Sequence, residues 1–276
     1  MDIFHYDFMR NAFITGALIG IVCPVVGLFV TLKRLSLIAD ALSHVCLAGV
    51  AAGLLMGTHP VITASLFSVS GAFLIEALRV KYKGYPELAI AIILSAGVAG
   101  GAILLGLGKG LGANFMSYLF GSIITVAWQD VFIIAVSVLM ILTLIRLFYK
   151  ELFFISFDEE GAEIAGLPVR IISVGFTAIT ALTIAVSIKI VGILLVSSLM
   201  ILPVAAALKL ATSFKNALLL SVALGELAVV SGLLLSFYLN LVPGGVIIMV
   251  SVIILVLSLM YGSVRPAATS RQSISS

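Results

Sequence analysis

From Asn11 to Leu32 the chain carries no charged side chain. At 1.5 Å of rise per residue, a helix over that stretch is long enough to cross a hydrocarbon core about 30 Å thick. Runs of this kind recur along the sequence, at roughly 11–32, 36–56, 60–79, 86–107, 128–148, 170–188, 190–208, 216–238 and 243–262. In a bilayer only helices and closed barrels satisfy their own backbone groups, and runs of this length specify helices. With 62% hydrophobic and 10% charged residues, the chain has too few ionisable groups to cover a soluble surface, which in ordinary domains is about one-quarter charged. The sequence therefore predicts an all-α, polytopic transmembrane bundle of 8 or 9 spans, a single domain over residues 1–276. The first run is too long for the apolar part of a secretory signal and is expected to stay in the mature protein.

Basic residues orient the bundle. Lys33 and Arg34 fall in one connection, Arg79, Lys81 and Lys83 in another, and Arg146, Lys150 and Arg170 flank the longest polar insert. Lys209 with Lys215 brackets a fourth connection, and Arg265 and Arg271 lie in the tail. Cationic connections stay on the cytoplasmic side. Nine spans put all these clusters inside and the amino end outside; eight would follow if one run is broken, and Pro203 makes the run around 190–208 the suspect. The glycine-rich stretch from Gly108 to Ala127 is expected as a loop, a short helix or a re-entrant piece.

Other classes are excluded on chemistry. The net charge of +3 is scattered between apolar runs and makes no nucleic-acid patch. Cys23 and Cys46 lie inside apolar runs without CxxC spacing, so no disulfide framework is expected. The stretch "GLGKGLG", Gly106 to Gly112, lacks the Ser or Thr that follows the lysine of a P-loop, so ATP hydrolysis belongs to another chain. The many Gly and Ala residues within the runs are read as helix-packing positions.

In "LSLIADALSHVCLAGVAAG" two ionisable residues, Asp40 and His44, stand four apart and share one helical face. Ionisable groups in a span face protein or a polar path. Three readings stand: a structural Asp–His hydrogen bond, a proton relay, or a position that binds or conducts a metal ion. Carboxylate oxygen and imidazole nitrogen suit zinc, manganese or iron, but one Asp and one His are half of a tetrahedral set. A second copy across a two-fold axis would supply the other half.

Weaker candidates surround this pair. His59, in "GTHPV", stands at the expected outer mouth, where a cap or turn role competes with cation contact. Glu226 lies deep in "SVALGELAVVSG", where a carboxylate needs a partner or a proton. Glu76 and Glu87 read as local partners of the basic loop around Lys81 and Lys83, and Lys189 as an interfacial snorkeller.

The polar insert "ELFFISFDEEGAEIAGLPVR" predicts a short helix over about 157–165. Ser156 and Glu159 have capping-box spacing, Gly166 is the stop, and Pro168 prevents continuation. Glu159, Glu160 and Glu163 complement the helix dipole. Phe157, Ile164 and Leu167 supply apolar contact points, for the membrane surface or for a cytoplasmic partner.

Taken together, "LKRLSLIADALSHVCLAGVAAG", "FDEEGAEIAGLPV" and "KIVGILLVSSLMILPVAAA" resemble the permease subunits of bacterial zinc, manganese and iron ABC uptake transporters, in the same order over nearly the whole chain. The resemblance implies a type II-like importer permease in the cytoplasmic membrane. Two permease copies would pair with two cytoplasmic ATP-binding subunits, and an extracellular or periplasmic metal-binding protein would deliver the ion. It assigns Asp40 and His44 as metal ligands in the path. It also assigns the segment from Phe157 to Val169, with Asp158, Glu159, Glu160, Glu163, Ile164, Gly166 and Leu167, as the coupling helix, an insert at about 156–168. One departure is visible: the family pattern SHxxLPG reads SHVCLAG here, with Ala48 in place of proline, so a regular helix is expected. Cys46 points away from His44 on an ideal helix and is a slight hint toward zinc. The implied function is ATP-driven import of a divalent transition metal through a homodimeric pore, zinc ahead of manganese and iron, with the metal as cargo and no bound cofactor. The rival from another class is an ion- or proton-coupled secondary metal transporter.

Overall fold

With no water in the hydrocarbon core, each apolar run closes its backbone hydrogen bonds within itself as a helix. The computed structural model describes residues 6–82, 84–108, 112–122 and 126–264. Its helices are α1 (Asp7–Leu32), α2 (Ser36–Leu55), α3 (Pro60–Lys81), α4 (Pro86–Leu107), α5 (Gly112–Phe120), α6 (Trp128–Leu147), α7 (Tyr149–Phe157), α8 (Glu159–Ile164), α9 (Val169–Val191), α10 (Ile193–Leu210), α11 (Phe214–Leu239) and α12 (Pro243–Val264). Among the described residues eight of these are long and apolar enough to cross a membrane; the apolar stretch of α10, Leu195–Leu210, is shorter. Lys83, Arg265 and Arg271, used above for orientation, lie outside the described residues, as does part of the Gly108–Ala127 stretch, whose described portion contains the short helix α5.

The break expected at Pro203 is absent: α10 continues through it. The chain turns instead at Gly192, whose φ of 86° L side chains rarely adopt and whose missing side chain lets the backbone meet Phe120 and Gly121. Beyond this turn α10 runs alongside α1 in the same direction, with Met200 against Gly27 and Val204 against Leu28. Helix α2 is unbroken through Ala48.

α1, α2 and α9 are largely enclosed, while α3, α4, α6, α11 and α12 keep apolar faces outward. An outward apolar face is the expected boundary with lipid tails. At one end of the bundle Lys33 Nζ donates to Ser173 Oγ at 3.1 Å, joining the end of α1 to the start of α9. At the same end Phe29, Phe153 and Phe214 meet with ring centroids 4.9–5.5 Å apart. Lys33, Arg34, Arg79, Lys81, Arg146, Lys150, Arg170, Lys209 and Lys215 all collect at this end by their helix positions, which makes it the cytoplasmic one.

The described basic residues at the opposite end, Arg10 and Lys189, each sit against an aspartate. Lys189, expected to snorkel, instead turns inward, and its Nζ lies 2.6 Å from Asp130 Oδ2 with both side chains largely buried. The Asp130 carboxylate also accepts the Ala127 N–H at 2.9 Å and so caps α6. Glu76 makes the local ion pair expected of it, with Arg79, but does so buried in the bundle. It is 8% exposed, pairs with Arg79 at 3.0 and 3.1 Å and accepts the Thr177 hydroxyl at 2.7 Å. A nearly buried carboxylate needs such partners, and these tie α3 to α9.

Two measurements check this arrangement. Thr58→Cys is expected to react with a membrane-impermeant maleimide in intact cells and Ala165→Cys only after permeabilisation; the reverse pattern would invert the topology. Asp130→Ala leaves a buried ammonium unpaired and is expected to cost about 3–5 kcal/mol, read as a lower Tm, while the Asp130→Ala/Lys189→Met double variant recovers most of the loss.

Candidate functional site

Helix α2 begins after Leu35 and carries Asp40 in its second turn and His44 in its third. The helical register places Asp40 Oδ1 4.0 Å from His44 Nε2, beyond a hydrogen bond, so the two groups do not satisfy each other. His44 Nδ1 is buried and has no hydrogen-bond partner among the described residues. The His44 side chain is 22% exposed and that of Asp40 46% exposed, and Leu37, one turn earlier on that face, is exposed as well. The pair thus opens onto the outside of a single copy, about 6 and 12 Å along α2 from its cytoplasmic start.

Close packing holds the backbone of α2 at His44. Gly97 of α4 lies so near α2 that a side-chain carbon there would come within 2.8–2.9 Å of the Val45 nitrogen and the His44 carbonyl carbon. Ser43 donates its hydroxyl to Ala39 O at 2.8 Å and is spent within the helix. Cys46 is fully buried, and its Sγ donates toward Ala64 O on α3 at 3.6 Å. It is turned away from the pair, and the slight zinc hint drawn from it falls.

Chemically, 4.0 Å is bridgeable: carboxylate oxygen and imidazole nitrogen bind zinc-like ions at about 2.0–2.2 Å each, so one cation between them touches both. Among the described residues no cluster of three or more His, Cys, Asp or Glu surrounds such a point. The other expected candidates lie elsewhere. His59 stands at the first position before α3 at the outer end, without a side-chain capping bond, and lines a small cavity of about 100 Å³ with Asp130 and Lys189. Glu226 sits in the seam of α11 with α1, its Oε1 buried without a hydrogen-bond partner and facing Gly20.

The expected short helix over about 157–165 forms as α8, Glu159–Ile164, but with a different cap. Ser156 donates its hydroxyl to Leu152 O within α7, and Asp158 is the cap of α8, accepting the Gly161 N–H at 2.8 Å. Sequence spacing favours Ser156, but α7, which consumes its hydroxyl, continues to Phe157. The stop at Gly166 holds: its φ is 83°, its N–H reaches Glu163 O at 3.0 Å and the Leu167 N–H reaches Ala162 O at 3.1 Å, a Schellman termination. Ala162 anchors α8 against Ile155 and Val169.

On the other side Ile164 is 88% exposed and Phe157 61%, beside exposed Glu159, Glu160 and Glu163. An isoleucine so exposed within an acidic rim has the form of a contact surface. Burial holds the Lys33 ammonium below the usual lysine range, and the Glu159 and then the Glu76 carboxylates oppose that shift while Arg79 adds to it. The insert is therefore electrostatically linked to the α1–α2 connection that precedes the Asp40/His44 helix.

Comparison with known proteins follows the same lines. The ABC 3 transport family profile matches residues 5–262. A "Probable metal transport system membrane protein" of Treponema pallidum is 41% identical over 96% of this chain and 99% of its own length. The manganese transport system membrane protein MntC of Listeria innocua is 32% identical, covering 93% of this chain and 91% of its own. Among solved structures, PsaBC from Streptococcus pneumoniae in complex with Fab contains a chain similar to this one with a TM-score of 0.84 and 32% identity, over 94% of this chain and 93% of that one. The chain belongs to the ABC 3 transport family, as a membrane permease component.

Proposed function

We propose that this permease carries a divalent transition metal into the cell through a path in which Asp40 and His44 are ligands. ATP hydrolysis resides in a partner subunit, and the chain itself is no enzyme. The observation that carries this reading is the pair itself: an acid and an imidazole 4.0 Å apart on a spanning helix, not bonded to each other, with one imidazole nitrogen unpartnered. Metal transport stands in the names of the Treponema and Listeria relatives.

The exposure of Asp40 supports a homodimeric pore. A carboxylate facing lipid costs about 2.5–3.5 kcal/mol at the centre of a span and less toward its ends, and Asp40, in the second turn of α2, is 46% exposed in a single copy. A second copy across a two-fold axis would cover that face and bring two acids and two imidazoles around one ion. A divalent cation there stabilises the ionised carboxylate and the neutral, ligating imidazole.

The metal is argued from donor type. With Cys46 engaged toward α3, the donors are oxygen and nitrogen without sulfur, a set that admits manganese and iron as well as the zinc favoured from the sequence. Zinc binds such a set more tightly than manganese in the ordinary order of affinities. The exposed Ile164 and acidic rim of α8 are the surface on which an ATP-binding subunit would push. Its closure would rock the paired permeases and open the ion site to each side in turn.

In proteoliposomes holding the permease with its ATP-binding partner, Asp40→Asn and His44→Gln are each expected to lower ATP-dependent manganese uptake at least tenfold while leaving the complex assembled. Uptake at wild-type rates would remove both residues from the path. Zinc is expected to inhibit that manganese uptake at concentrations below those at which manganese inhibits zinc uptake; transport of zinc alone would contradict a shared oxygen and nitrogen site.

The coupling surface has its own test. Ile164→Glu is expected to leave the Tm of the permease unchanged and to lower co-purification of the ATP-binding subunit several-fold. Unchanged co-purification and unchanged uptake would move the docking surface elsewhere.

A further inference from the structure

Glu226 lies about 18 Å along α11 from its cytoplasmic start and about 20 Å from its outer end, near the middle of the bilayer. Gly20 of α1, which it faces, stands at the matching depth, about 18 Å from the cytoplasmic end of its own helix. A side-chain carbon at Gly20 would come within 2.7 Å of Glu226 Oε1 and 3.1 Å of its Cδ, so the carboxyl occupies the space that a larger residue would fill. Oε1 is buried there without a hydrogen-bond partner.

The backbone of α1 is short of a donor at the same place. Pro24 stands inside α1 and has no N–H, so the Gly20 carbonyl lacks the donor that the residue four positions on supplies elsewhere in a helix. Helix α11 lies directly against this carbonyl: a side-chain carbon added at Gly225 would be 2.8 Å from Gly20 O and 2.6 Å from Pro24 Cγ. Two acceptors, one of the carboxyl and one of the main chain, therefore share a buried seam, where acceptors need donors.

Among the described residues no cation stands at that depth to serve them. Helix α11 packs against α1, α10 and α12. On α1 the charged residues are Asp7 and Arg10, at the outer end, and Lys33, just beyond the cytoplasmic end, bonds to Ser173. Lys209 of α10 and Lys215 of α11 are at the cytoplasmic end, and α12 has no charged residue from Pro243 to Val264. The thiol of Cys23 is fully buried and engaged with Ser187 Oγ at 3.4 Å. Tyr238 and Tyr261 lie at the outer end of α11 and the cytoplasmic end of α12.

We propose that Glu226 is a proton-binding site: it holds a proton at neutral pH and donates it to the Gly20 carbonyl, a clasp between α11 and α1 that supplies the donor Pro24 cannot. The proton removes a charge from the middle of the bilayer and turns one of the two acceptors into a donor, so a single ligand completes both groups. The proposal stands apart from the metal reading, since neither Asp40 nor His44 takes part.

The test compares infrared spectra of wild type and Glu226→Gln, each purified with its ATP-binding partner at neutral pH, in water and in heavy water. The expected difference is the carbonyl stretch of one unionised acid, shifted by deuterium and absent from the variant; a difference in carboxylate stretches alone would overturn the proposal. Thermal unfolding tests the clasp. Glu226→Gln, whose amide also donates, is expected to leave Tm unchanged, whereas a rise in Tm would show that an ionised, unpaired carboxylate had been removed and would overturn the proposal. Glu226→Leu is expected to lower Tm by several degrees, and Pro24→Ala, which returns an N–H to α1, to abolish most of that loss in the Pro24→Ala/Glu226→Leu variant. A loss from Glu226→Leu of the same size with and without Pro24→Ala would sink the clasp.

Discussion

A charge inside a bilayer must find an opposite charge, a hydrogen-bond donor, a proton or an ion, and this requirement sorts the ionisable residues of the bundle. Two buried carboxylates find partners within one copy. Glu76 is held by Arg79 and the Thr177 hydroxyl, and Asp130 is held by Lys189 and the Ala127 N–H. These join α3 to α9 at the cytoplasmic end and α6 to α9 at the outer end, so α9 is tied at both ends. Asp40 and His44 lack such partners, as does Glu226 in the seam of α11 with α1, and it is the acid and imidazole 4.0 Å apart that make the α2 pair the proposed cation site. A site fully satisfied by its own protein would have no reason to admit an ion or to release one.

The close approaches of small residues give that site its rigidity. Gly97 lets α4 lie against the turn of α2 that carries His44, so that turn is backed by helix. At the outer end the turn at Gly192 meets the backbone of Phe120 and Gly121, with the Lys189–Asp130 pair alongside. The cytoplasmic end is built from larger groups: the rings of Phe29, Phe153 and Phe214 and the insert whose outer surface presents Ile164. Close backbone packing outside and a ring-lined, charged base inside match a machine pushed from the cytoplasm.

Composition and period made the spans legible, because an uncharged run of about 20 residues has one stable form in lipid. The i,i+4 spacing likewise put Asp40 and His44 on one face before any coordinates. Gly166 was legible as a stop because only a residue without a side chain adopts its φ cheaply. The partners of Lys189, Glu76 and Cys46 were not, since Asp130, Thr177 and Ala64 are far away in sequence and meet them only through helix packing. The turn at Gly192 was hidden by Pro203, the stronger local breaker, although α10 continues through that proline. Asp158 lost to Ser156 as the expected cap because α7, which consumes the Ser156 hydroxyl, has too few polar residues to be distinguished from the end of the preceding span.

The most direct test of the central claim is the ligand field of the ion itself. Manganese trapped in the purified permease with its ATP-binding partner can be examined by pulsed electron paramagnetic resonance for coupling to a directly bound imidazole nitrogen. The account predicts nitrogen coupling in the wild type that disappears in His44→Gln while the ATP-binding partner stays bound. A manganese signal with the same nitrogen coupling in His44→Gln, or one with oxygen ligands alone in the wild type, would contradict it.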